Sequence, residues 1–286
     1  MNTGAALRRF FFRRTSTSNY RLARIALGSA MLINLIDLWP HRFSLFSNEG
    51  LLPTLVPAQS ALRWSLFSLG NTPSEVTALL LLAFLACLGL IVGILPRIMV
   101  VILWVWHVSY SHWLGATLEG FDSLLRNGCF LLMLAPAFGP PRRTAPRYSL
   151  VLLRWQVCLM YWGSFYLKIQ DRSWREGIVV DYFLKSNYSR LRLLDFGSLP
   201  PGFLSGLCYA VLALELLLPF MLLLPRYRKA GIGLGVAFHL VIGVISNIGV
   251  FSAVMILHYA LFLQRSPSSS SIGAGTRRRD LSCVRF

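Results

Sequence analysis

The chain has 286 residues, 55% of them hydrophobic and only 14% charged, with a mean hydropathy of +0.59. Soluble domains carry about a quarter charged residues, so this composition excludes one and points to a membrane protein. The net charge of +17 does not signal nucleic acid, because the arginines flank apolar runs, where they orient helices and meet anionic lipid.

In chain order, residues 1–21 carry Arg8, Arg9, Arg13, Arg14 and Arg21 among Ser and Thr, with no acidic residue. An organellar transit peptide has a similar composition, but 1–19 also reads as a basic cytoplasmic tail. No cleavable signal peptide is evident. A bilayer is crossed by about 20 mostly apolar residues. Spans are therefore expected at Leu22–Trp39, Val76–Leu95, Ile98–His112, Leu124–Phe138, Tyr148–Ile169, Phe203–Leu224, Ala230–Ile245 and Val250–Leu263. The first two are separated by a polar loop with His41 and Ser47–Pro53, then a short amphipathic piece around Ser60–Leu69. A long loop, Gln170–Pro201, contains amphipathic Tyr182–Leu184 and Leu191–Phe196. Residues 265–286 are Ser/Gly-rich and then basic, a composition expected to be disordered. The expected fold is an all-α polytopic transmembrane bundle over residues 20–264, with about eight spans and amphipathic interfacial segments in the outer loops.

Arginine and lysine placement orients it. The tails, Arg97, Arg142/Arg143/Arg147 and Arg226/Arg228/Lys229 all fall on one side, which makes both termini cytoplasmic in a multi-pass cell membrane. Only the Gln170–Pro201 loop, with Arg172, Arg175, Lys185, Arg190 and Arg192, breaks the pattern.

Ionisable groups in the membrane are costly, so each is a candidate for function. Arg154, Tyr161 and Lys168 are spaced by seven, which puts them on one helical face with Cys158 and Ser164 between. Lys168 has two readings. One is a stem in lipid with its ammonium snorkelling to the headgroups; the other is a desolvated amine serving as general base. Asp122 and Arg126 stand at i, i+4, the spacing of a local ion pair. Glu215, deep in its span, requires a partner, a histidine or an arginine. Gly231, Gly235, His239, Gly243 and Asn247 recur every four residues, a pattern that lets helices approach closely. Cys87, Cys129, Cys158, Cys208 and Cys283 have no ligand spacing, and there is no HxxxH or HExxH, so no metal site is expected.

Four stretches in order resemble one family. They are SNEGLLP at Ser47–Pro53, EGFDSLLRNGCFLLMLAP at Glu119–Pro136, QVCLMYWGSFYLKIQDRSWREG at Gln156–Gly177, and AFHLVIGVISNIGVFSAVMI at Ala237–Ile256. Together they resemble the HTTM (horizontally transferred transmembrane) domain family, related to vitamin K-dependent gamma-carboxylase, over roughly Tyr20 to Leu263. The resemblance implies a carboxylase-type membrane enzyme in which Lys168 is the base and His239 a polar group of the same cavity. Its substrate would be a reduced quinone of the vitamin K kind or another lipophilic molecule. Tyr161, Trp174, Arg126 and Asn247 are the expected substrate-binding residues. Two features depart from the carboxylase: Lys168 lies between Leu167 and Ile169 instead of in a lysine pair, and no large extramembrane portion follows the last span. The alternative is a non-catalytic accessory protein that assists maturation or export of a peptide. Membrane lipids are the other expected partners.

Overall fold

The computed structural model describes residues 3–50, 64–114, 120–138, 143–194 and 200–263. Leu51–Pro53, Ser60–Arg63, Glu119, Arg142, Asp195–Phe196 and the tail 265–286, on which several sequence expectations fall, lie outside the described residues. The principal helices are α1 (Thr3–Phe12), α2 (Thr17–Leu38), α3 (Arg42–Phe46), α4 (Pro73–Val92), α5 (Pro96–Leu114), α6 (Gly120–Met133), α7 (Tyr148–Gln170), α8 (Arg172–Arg175), α9 (Val179–Lys185), α10 (Pro201–Leu223), α11 (Arg228–Ile245) and α12 (Phe251–His258). Among the described residues, four helical stretches are long and apolar enough to cross a bilayer: Thr17–Phe46, Pro73–Val92, Gly202–Leu223 and Arg228–Ile245. The other expected spans coincide with α5, α6, α7 and α12, which are shorter or more polar.

Helix ends follow local chemistry. Thr72 and Glu75 form a reciprocal capping box at the start of α4, with Thr72 N–H donating to the Glu75 carboxylate at 2.9 Å. At its end Gly93 has φ +101, which L side chains rarely adopt, and the Arg24 guanidinium fills the space a Cβ would take. Gly93→Ala should therefore cost about 1–2 kcal/mol, read as a lower unfolding midpoint in micelles. An unchanged midpoint would show that the turn relaxes.

α2 packs against α4 and α12 and touches α6 and α7; α7 lies between α6 and α10, and α11 between α10 and α12. The core contains Leu27, Met31, Leu35, Leu80, Leu103, Leu125 and Met255. Outward positions are apolar as well, including Leu81, Leu85 and Val92 on α4, Leu217 and Phe220 on α10, and Leu240 and Val244 on α11. A surface this apolar suits lipid rather than water.

The N-terminal residues have secondary structure of their own. They form α1 and then a strand, β1 (Arg14–Ser16), antiparallel to β2 (Thr144–Pro146). Arg14 fixes the ribbon through Thr144, donating to its hydroxyl at 2.9 Å and its carbonyl at 2.7 Å. This ribbon puts the starts of α2 and α7 at one end of the bundle. The α4–α5 turn is there too, because Arg24 donates to the Val92 carbonyl at 3.4 Å. α10 runs antiparallel to α7, so the α10–α11 turn with Arg226, Arg228 and Lys229 also falls at this end. The chain is basic at one end, while Lys168, Asp37 and Asp122 lie toward the other.

Candidate functional site

α7 carries the site on one face. Arg154, nearest the basic end, donates from Nε to the Leu261 carbonyl at 2.7 Å, holding the turn after α12. Two turns on, the Tyr161 hydroxyl lies 2.6 Å from His239 Nε2 and 2.5 Å from the Tyr259 hydroxyl. All three side chains are buried. Two turns further, Lys168 pairs with Glu215 of α10. Ser164 donates to the same Glu215 oxygen, Oε1, at 3.1 Å. Glu215 therefore has Lys168 as its partner, correcting the expectation of a histidine or arginine.

The chain after α7 folds back over this pair. Asp171 ends α7 with extended backbone and its carboxylate accepts from the Ser173 N–H at 2.8 Å, so one residue closes α7 and caps α8. The reversal brings the Trp174 ring to 4.9 Å from Lys168 Nζ, a cation–π arrangement. Gly177 then turns the chain at φ +73 against Ser205, and the Tyr209 hydroxyl donates to the Arg175 carbonyl at 2.9 Å. Two of the loop's five basic residues are paired within it, Arg172 with Glu176 at 2.5 Å and Lys185 with Asp181 at 2.7 Å.

Glu215 is 4% exposed, whereas the Lys168 side chain is 26% exposed. The carboxylate's second oxygen, Oε2, is buried with no hydrogen-bond partner among the described residues. Pro219, one turn along α10, has no N–H to give the Glu215 carbonyl, which loosens the helix there. Beside the pair, Tyr166 and Leu167 face outward at 64% and 69% exposure.

The small-residue stripe of α11 is a packing surface. A Cβ at Gly235 would overlap the Tyr259 hydroxyl, and one at Gly231 would lie 2.9 Å from Met221 Cβ. Gly235 is thus what admits Tyr259 to Tyr161.

Of the residues singled out in the sequence, Lys168, Trp174, Tyr161 and His239 come together along α7. Arg126 and Asn247 do not. Arg126, half-buried on α6, makes no hydrogen bond or ion pair with that group among the described residues. The Asp122 carboxylate lies 4.0 Å from His107 Nε2. Asn247 is exposed past the end of α11, its N–H donating to the Tyr188 carbonyl at 2.6 Å. Sequence reasoning missed Tyr259, which sits in a short apolar turn with no spacing pattern, and missed the pairing of Glu215 with Lys168.

An apolar outer surface around a partly buried lysine–glutamate pair and a buried tyrosine–histidine–tyrosine chain defines a helical membrane protein with a polar interior. Residues 139–266 match the HTTM domain, a little under half of the chain, which supports the resemblance read from the sequence over the stretch that supplies every member of the cluster. Comparison with curated proteins and with solved structures gives no match.

Proposed function

We propose that this is an integral membrane enzyme of the carboxylase-like HTTM type, which removes a proton from the hydroxyl of a quinol or similar lipophilic substrate at the Lys168–Glu215 pair. The observation that carries the reading is the buried, unpartnered Oε2 of Glu215 next to an oxygen already held by Lys168 and Ser164. A buried acceptor with no donor is costly, and a substrate hydroxyl supplies the donor. Lys168 engaged in an ion pair is not a free base, so the pair works as a unit. The substrate O–H bond breaks, its proton passes to Oε2, and the electron pair stays on the substrate oxygen, where the Lys168 ammonium balances it. The Trp174 ring, stacked on the ammonium, provides an aromatic surface for a planar substrate. A reduced quinone would supply the electron-rich oxygen chemistry that the family resemblance implies. His239 and Tyr259 are positioning residues that hold Tyr161, and with it α7, against α11 and α12. The exposure of Tyr166 and Leu167 beside the pair supports entry of the substrate from lipid.

The chain would cross the bilayer about eight times. α5 and α7 have 19 and 23 residues, about 28 and 35 Å of helix, and their polar side chains, among them His107, Ser109, Arg154 and Tyr161, are buried inward. Inward polarity of this kind lowers whole-helix hydropathy while the polar side chains stay inside the bundle. The basic end then faces the cytoplasm of a cell membrane, and the Lys168 end the opposite side.

The test is turnover of vitamin K hydroquinone by the full chain in nanodiscs in air-saturated buffer, where dissolved dioxygen takes the two electrons from the deprotonated quinol, with oxidised product resolved by chromatography. Lys168→Ala and Glu215→Gln should each lower the rate by about 100-fold or more, with helicity unchanged by circular dichroism. Turnover that survives both substitutions would sink the reading. A Lys168→Ala chain that still supports maturation of an exported peptide in cells would favour the accessory role instead.

A further inference from the structure

At the opposite end of the bundle from Lys168, α1, Arg13 and the start of α7 enclose a hollow of about 860 Å³, open to the surface. Its polar lining consists of guanidinium groups: Arg8 and Arg9 from α1, Arg13 from the link to β1, and Arg147 from the residue before α7. Arg8, Arg9 and Arg13 are exposed, and no ion pair to them occurs among the described residues. The sequence explains why: residues 1–36 and 139–170 contain no Asp or Glu. The hollow is built rather than incidental. Arg147 donates from Nε to the Phe10 carbonyl at 2.8 Å and stacks 5.2 Å from its ring, and its N–H donates to the Arg13 carbonyl at 3.1 Å. The antiparallel ribbon continues directly from these bonds. Burial, and then the neighbouring Arg13 charge, pull the Arg147 guanidinium below its ordinary value. Four like charges held together by backbone pairing repel one another, and an anion among them relieves that repulsion.

Phe10 and Phe12 rise beside the arginines, 45% and 57% exposed. A block of aromatic side chains flanked on both sides by guanidinium groups at the end of a short helix suits a segment lying in the membrane interface. We propose that this hollow is a binding site for the phosphate of an anionic phospholipid, with Arg8, Arg9, Arg13 and Arg147 on the headgroup and Phe10 and Phe12 along its acyl region. The apolar flanks choose lipid over free phosphate, because an inorganic anion has nothing to place against them. The site is independent of the proton-abstraction reading, lying the length of α7 away from it.

The experiment is native mass spectrometry of the full chain in detergent, titrated with phosphatidylglycerol or with phosphatidylcholine. The unsubstituted chain should retain phosphatidylglycerol in preference to phosphatidylcholine, and an excess of inorganic phosphate should not displace it. The triple variant Arg8→Gln/Arg9→Gln/Arg13→Gln keeps Arg147 and the ribbon, and its phosphatidylglycerol binding should weaken on the order of 100-fold. Equal retention of the two lipids, undiminished binding by the triple variant, or displacement by inorganic phosphate would each overturn the proposal.

Discussion

Lys168→Met should lower stability by about 2–3 kcal/mol, and adding Glu215→Leu should recover most of the loss. The reasoning turns on which charge is stranded. Removing the ammonium leaves the Glu215 carboxylate buried in an apolar helix face with only Ser164 donating to it. Breaking a buried pair typically costs about 3–5 kcal/mol, and the quarter-exposed lysine puts this one at the lower end. Removing both partners leaves a leucine among lipid-facing and core leucines of α10, with no orphaned charge. The readout is the unfolding midpoint in mixed micelles for the single and double variants. A single variant as stable as the original chain would show that Glu215 does not depend on Lys168.

Gly235→Ala should cost about 2–4 kcal/mol, the range of overpacking plus a lost buried hydrogen bond. The added Cβ would overlap the Tyr259 hydroxyl and its ring carbon, so the ring must withdraw from Tyr161. Tyr161 then keeps His239 alone, and the junction of α7, α11 and α12 opens. Tyr259→Phe removes only the hydroxyl and should cost about 1 kcal/mol. Combining the two should cost less than their sum, because the hydroxyl is part of what the new methyl meets. Strict additivity in that cycle would mean that the clash is relieved by α11 shifting as a body.

The sequence carried those parts of the architecture that local patterns encode. The seven-residue spacing of Arg154, Tyr161 and Lys168 placed them on one face, and that face is the one the other helices meet. Glu215 advertised its need for a partner through position alone, but nothing local could say which one. Its mate lies 47 residues away, and the pairing depends on the antiparallel packing of α7 on α10. Trp174 reached Lys168 through the Asp171 cap, a signal that was present but read only as a family resemblance. Arg126, in the second turn of α6, and Asn247, just past the end of α11, both stand near element ends. Sharing a depth is a weaker constraint than sharing a face. The N-terminal residues looked like a solvated tail because charge dominates their composition. The pairing of Arg14–Ser16 with Thr144–Pro146 joins residues far apart in the chain, and no local pattern signals it.

That ribbon has a consequence for how the chain is made. β1 leaves the ribosome long before β2, with 130 residues separating Arg14 from its contact at Thr144. At ordinary translation rates the first strand waits on the order of ten seconds for its mate. During that interval α2, α4, α5 and α6 are synthesised with the base of α2 still unfastened. Only when residues 144–147 emerge can the amino-terminal segment be clipped in place, just as α7 begins to form. The ribbon therefore acts as a late latch in biogenesis, joining the first half of the chain to the half that bears the site.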